Sequence, residues 1–243
     1  MEKNSVFNIL KQALHGAVIK HQLQDQPVVL SFAPLSPEQA IGAPEHQDYP
    51  ILKGREVMLE AVIGNARGQA FTDCFVQGNT TAGALMELDC SDSGNRAIFV
   101  AGLNAVCSYL GLCRGTVHCR NREPVRCAEM LRAAPAEGKV LLVGLQPRLL
   151  EALAGRCELR VLDLDQDNIG KVIAGVTIEN ADKTENAVSW CDSMLVTGTV
   201  LVNGTISRFL DTGKPVVFYG VTIAAAAEIL GLKRFCLMQE DIK

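Results

Sequence analysis

The chain has 243 residues, enough for one large domain or two modest ones. Hydrophobic residues make up 48%, charged residues 21% and aromatic residues 5%, so a core of Leu, Val, Ile and Ala is expected and an aromatic base-stacking surface is not. A net charge of −4 with no Lys/Arg cluster argues against a nucleic-acid partner, and no apolar run reaches the ~20 residues of a membrane helix. The opening Met-Glu-Lys-Asn runs straight into an amphipathic pattern and reads as no signal peptide, so a cytoplasmic location is expected. In that reducing compartment the nine cysteines read as free thiols rather than disulfides.

Taken in chain order, apolar residues at helical spacing predict a helix over 5–22, and Val28–Ala33 reads as a strand. Residues 34–54 hold Pro34, Pro37, Pro44, Pro50, Gly42 and Gly54, which predicts a long irregular segment able to act as a lid. His46 lies in it beside Glu45 and Asp48; an exposed polar loop is the plainer reading. Val57–Ile63 and Ala70–Val76 read as strands around a turn at 64–68. Helices follow over 80–88, 97–110 and 124–133, Pro124 suiting a first helical turn. Strands first and helices afterwards describe an α+β domain over residues 1–134.

The rhythm changes near residue 136, after the linker-like Ala-Pro-Ala-Glu-Gly. Strands at 139–143, 159–162, 193–196, 216–219 and 235–237 alternate with helices at 147–154, 206–210 and 223–230, with a less regular stretch over 165–190. That alternation predicts parallel βαβ units and a Rossmann-like sheet over residues 139–243. The fold class is therefore α/β, an α+β domain followed by a Rossmann-like parallel-sheet domain.

One segment stands out, Val196-Thr197-Gly198-Thr199-Val200-Leu201-Val202-Asn203-Gly204-Thr205. Small residues and hydroxyls gather between a strand end and a helix start, where open α/β sheets bind ligands. Backbone N–H groups and a positive helix end there suit an anion or a polar ligand edge. Helix capping and tight turns are the plainer use of such residues, but two polar clusters flanking Val-Leu-Val exceed what one cap needs.

With these halves placed, the chain resembles the heavy-metal-chelation domain family, formerly a domain of unknown function. The resemblance rests on Val196–Thr205, Val143-Gly144-Leu145 and Gly102-Leu103-Asn104-Ala105, with Gly115–Arg120, Glu123-Pro124 and Cys127-Ala128 in support. It implies an enolase-N-terminal-like domain before the Rossmann-like one, the latter similar to methyltransferases, and a ligand cleft between them. It also implies a link to metal chelation or to pterin- or siderophore-type metabolism. Many members of the family follow the next strand with a Gly-Pro-Ser turn. Here the turn is Tyr219-Gly220-Val221-Thr222, which keeps the glycine and moves the hydroxyl.

The expected ligand-binding residues are Gly144, Asp163, Thr197, Gly198, Thr199, Asn203, Gly204, Thr205, Gly220 and Asn104. A single Gly144 does not make a dinucleotide fingerprint, which disfavours a tightly bound pyrophosphate cofactor. Asp163 ends the second strand about 20 residues later, where nucleoside binders meet a ribose hydroxyl; with Asp165, it otherwise reads as a solvated strand end. Asn104, inside an apolar helix, either ties that helix to a loop or reaches the cleft. Glu60 and Asp73 are strand carboxylates that either face the cleft or face solvent, and no residue is selected as general acid or base. His118, Cys119 and Cys127 are soft-metal ligand types, although adjacent His and Cys converge poorly on one ion and buried thiols are the simpler reading.

The expected function is binding, with turnover left open, of a small polar or anionic molecule in an interdomain cleft. A methyltransferase-like enzyme with a nucleoside cofactor is one alternative. A non-catalytic carrier or sensor of a divalent or soft metal ion is the other. A homodimer is the default oligomer.

Overall fold

A computed structural model describes residues 3–23, 29–44, 46–53, 56–121, 123–134 and 136–236. Val28, Glu45, Gly54, Pro135 and Leu237, all part of the readings above, lie outside the described residues. Helix α1 (Lys3–Lys20) buries Val6, Leu10, Leu14 and Val18, the stripe its spacing predicted. Strand β1 (Val29–Leu35) leads into α2 (Pro37–Ile41), which a Ser36/Gln39 capping box and Pro37 initiate. This short helix and a 3-10 turn at Pro50–Lys53 interrupt the segment expected to be irregular.

Strands β2 (Val57–Ile63) and β3 (Ala66–Thr72) form the predicted hairpin, but its turn is only Gly64-Asn65. The expected turn was too wide because Gly68 belongs to β3 rather than to the loop. A Cβ there would lie 2.1 Å from the Ala105 backbone nitrogen, so this glycine is required by a close strand–helix approach. Strand β4 (Gly78–Thr81) occupies the start of the helix predicted from residue 80; Thr81 caps the shorter α3 (Ala82–Glu87) instead. Together β3-β2-β1-β4 make a four-stranded sheet, antiparallel at each pairing.

Helix α4 (Ser93–Tyr109), capped by Asp92, packs along β2 and β3. Side chains alternate across β2: Leu59, Ala61 and Ile63 enter the core under α4, whereas Met58 joins a separate cluster with Ile41, Tyr49, Ile51 and Val221. Helix α5 (Glu123–Ala133) then leads to the second half.

There β5 (Lys139–Val143), α6 (Pro147–Leu153), β6 (Glu158–Asp163) and the short β7 (Val172–Ile173) precede β8 (Val176–Asn180). Helix α7 (Thr184–Trp190), β9 (Ser193–Thr197), α8 (Thr199–Val202), β10 (Val216–Tyr219), α9 (Ala224–Leu230) and β11 (Arg234–Phe235) follow. The helix predicted at 206–210 is a 3-10 turn, Ile206–Arg208, and the α-helical turn falls earlier, inside the Val196–Thr205 segment. The sheet order is β11-β10-β9-β5-β6-β8-β7, parallel except for β7. Numbered along the chain, its parallel strands run 3-2-1-4-5-6, the doubly wound dinucleotide-binding order. The α/β class, an antiparallel α+β part followed by a Rossmann-like sheet, is as expected. One buried cluster joins the halves, with Leu59 and Leu103 in the same core as Leu141, Val196 and Phe218.

Candidate functional site

In a doubly wound sheet the chain leaves β5 toward β6 on one side and returns to β9 on the other. The carboxyl ends of β5 and β9 therefore border a crevice, the usual ligand position. A cavity of about 530 Å³ opens there. Val143, Gly144, Asp163, Thr197, Gly198, Thr199, Asn203, Thr205 and Gly220 line it from the parallel half. Tyr49, Glu56, Phe71, Asp73, His118 and Cys119 line it from the other half.

The glycines divide by role. Gly144 has φ +85, and a Cβ on it would sit 2.7 Å from Thr197 Cγ2. A Cβ on Gly198 would sit 2.7 Å from the Ile223 nitrogen, so both serve close packing at the strand ends. Gly220, at φ +90, faces open space, which leaves room for a ligand against its backbone. Gly204, also in the left-handed region, is not among the lining residues.

Hydroxyls of the Val196–Thr205 segment largely answer one another. Thr197 and Thr199 Oγ1 are 3.0 Å apart, and the Thr205 amide donates to the Val200 carbonyl at 2.8 Å. Asn203 is exposed and lines the cavity; its backbone amide donates to the Thr199 carbonyl at 2.9 Å, while its side-chain amide has no protein partner among the described residues. The expected helix-end anion site does not form here, because α8 has only four residues. Helix α6 offers no better one: Pro147 lacks an N–H, and the Gln146 side chain accepts from the Leu149 amide at 2.7 Å.

One expected site residue serves structure instead. Asn104 is 1% exposed and lies outside the cavity lining. Its Nδ2 donates to the carbonyls of Gln69 and Val221, and its Oδ1 accepts from the Ala225 amide, so it joins α4 to both halves. Thr222 Oγ1 accepts from the Phe71 amide at 3.1 Å, closing the edge of β3. Glu60 is buried, accepts from Gln69 Nε2 at 2.7 Å and pairs with Arg67 at 3.5 Å; it does not line the cavity, whereas Asp73 does.

His118, Cys119 and Cys127 do reach the cavity wall, yet among the described residues no group of three or more His, Cys, Asp or Glu is placed to hold a metal ion. His118 Nδ1 lies 2.6 Å from the Cys119 carbonyl, and burial pushes the Cys119 thiol up to about 12. Burial also lowers the His118 pKa, partly offset by the Cys119 carbonyl and by Glu56.

Glu56 escaped the sequence reading. Its carboxyl is raised from 4.5 to about 7, first by burial and then by the Asp163 carboxylate, with His118 opposing and Asp165 adding. Among the described residues it has no hydrogen-bond or ion-pair partner. Asp163 is held differently: Oδ1 accepts from the Leu164 and Asp165 amides and Oδ2 from Asn168 Nδ2. Tyr219 donates to the carbonyls of Val143 and Gly144, closing the floor beneath the crevice.

Residues 127–234 match the DUF364 family, described as "Putative heavy-metal chelation", the family the sequence resembles. Two solved structures resemble the chain in fold. A DUF364 protein of unknown function from Pyrococcus horikoshii is 13% identical with a TM-score of 0.54, covering 89% of this chain and 79% of its own. Another, from Desulfitobacterium hafniense DCB-2, is 17% identical with a TM-score of 0.50, covering 72% of each chain. No curated protein matches the chain. No helix among the described residues is long and apolar enough to cross a membrane.

Proposed function

We propose that the chain binds a small molecule in the crevice between an α+β domain, residues 1–134, and a Rossmann-like domain, residues 139–243. The observation that carries this reading is the cavity of about 530 Å³ at the strand-order reversal, lined from both halves. The matched family's description favours a metal-related role. With no ligand cluster for an ion among the described residues, that role runs through a chelating or pterin-like small molecule rather than through a metal carried by the protein. Thr199, Asn203 and Gly220 supply the polar edge, and Phe71, Val143 and Leu145 the apolar walls.

A nucleoside-type ligand is the second reading, favoured by the 3-2-1-4-5-6 strand order and by Asp163 at the end of the second parallel strand. Thermal melting with adenosine, S-adenosylmethionine and pterin tests both. A ligand at 100 times its dissociation constant adds about 2.7 kcal/mol, a readable rise in Tm. Asn203→Ala and Gly220→Val are expected to remove most of that rise. No rise with any of the three, or a rise that both variants keep, overturns the crevice as the site.

A further inference from the structure

We infer that the crevice selects an organic cation: a nucleoside-sized molecule whose sulfonium or ammonium centre docks against Glu56, with Asp163 and Asp165 beside it. This rests on the crevice reading above and sets aside the anionic half of the polar-or-anionic ligand expected from the sequence. Among the described residues, four acidic side chains line the cavity, Glu56, Asp73, Asp163 and Asp165. Among the described residues, two basic side chains share the lining, His118 and Arg208, and neither opposes them effectively. Arg208 is held by Glu185, through Nε at 2.9 Å and through Nη2 at 2.7 Å to each oxygen. His118 is pushed toward its neutral form by burial.

Apolar side chains, among them Val143, Leu145, Leu149, Phe209 and Val221, form much of the remaining wall beside the neutral polar edge. Such walls exclude water and strengthen the field of the carboxylates within the cleft. A phosphate entering would meet like charge and no free helix end. A cation entering would give Glu56 the partner it lacks among the described residues. Asp163 contributes as a fixed negative charge, because two backbone amides and Asn168 hold its carboxylate in place.

Calorimetric titration with three adenosine compounds of different charge tests the inference. S-adenosylmethionine carries the sulfonium, S-adenosylhomocysteine is the neutral thioether of the same shape, and ATP is the anion. The sulfonium is expected to bind about tenfold tighter than the thioether, with ATP weaker than both. Glu56→Gln, nearly isosteric, is expected to bring the sulfonium-to-thioether ratio within roughly threefold while leaving thioether binding unchanged. The wild-type series needs no variant to be read. Equal binding of sulfonium and thioether, or tightest binding of ATP, overturns the charge selection and leaves the crevice reading standing. Binding of pterin with none of these three does the same. No binding by any probe, pterin included, overturns both.

Discussion

Glu56 stands one residue before β2, with the parity of Met58 and Glu60, so it belongs to the strand face turned away from α4. Its raised pKa makes it a measurable source of pH dependence. The unfolded chain loses this proton near 4.5 and the folded protein near 7, so between those values the unfolded state binds fewer protons. Stability from this group is therefore full below about 4.5, falls as pH rises to about 7, and is level above it. Asp163, Asp165, Asp73 and His118 share the cavity with it. Glu56→Gln is expected to flatten the fall in Tm between pH 4.5 and 7, read by melting the two proteins across that range. An unchanged slope would show that the carboxyl is already solvated.

At the scale of elements, the described residues from α2 to the 3-10 turn at 50–53 form a strap along the cavity, with Pro44, Tyr49 and Ile51 in its lining. Buried Tyr49 and Ile51 anchor it apolarly. Arg148 of α6 anchors it electrostatically, bonding Asp48 and placing Nη1 3.3 Å from His46 Nδ1 and 2.9 Å from Glu151. Asp48 is 47% exposed and regains water when its partner is removed, so the loss is local. Arg148→Ala is expected to cost about 1–2 kcal/mol and to speed proteolytic cleavage within 42–50 well before global unfolding. Cleavage at the wild-type rate would mean that Tyr49 and Ile51 hold the strap alone. Asn104 does comparable work across α4. Its buried position was legible in the apolar pattern of its helix, but its partners Gln69, Val221 and Ala225 are far away in sequence and left no local mark.

At the scale of the molecule, the common core bears on how the two halves unfold. Leu59, Leu103, Leu141 and Phe218 share one buried cluster, and Asn104 bridges both halves. Separate melting would expose that cluster to water at roughly 25 cal/mol per Å² of apolar surface. One cooperative transition is therefore expected, with Trp190 fluorescence from the parallel half coinciding with far-UV circular dichroism from both. Two resolved transitions would show that the halves are energetically independent.

Periodicity and punctuation in the sequence determined the α/β class, most strand positions and the polar segment at 196–205. These are local properties: a 3.6-residue or two-residue repeat is written wherever one face is buried. Gly144 and Asp163 were legible for the same reason, since each ends a predicted strand and parallel strands bring such ends to one edge of the sheet. Tertiary structure alone decided what stands opposite that edge. Docking of α4 onto the second half sets the β2–β3 face against the crevice, bringing Glu56, Phe71 and Asp73 to a cavity whose other wall lies some hundred residues away along the chain. It also decided the charge of the site, by chelating Arg208 to Glu185 and burying His118. A side chain's electrostatic effect depends on its partners and its distance from water, and neither is encoded by its neighbours in sequence.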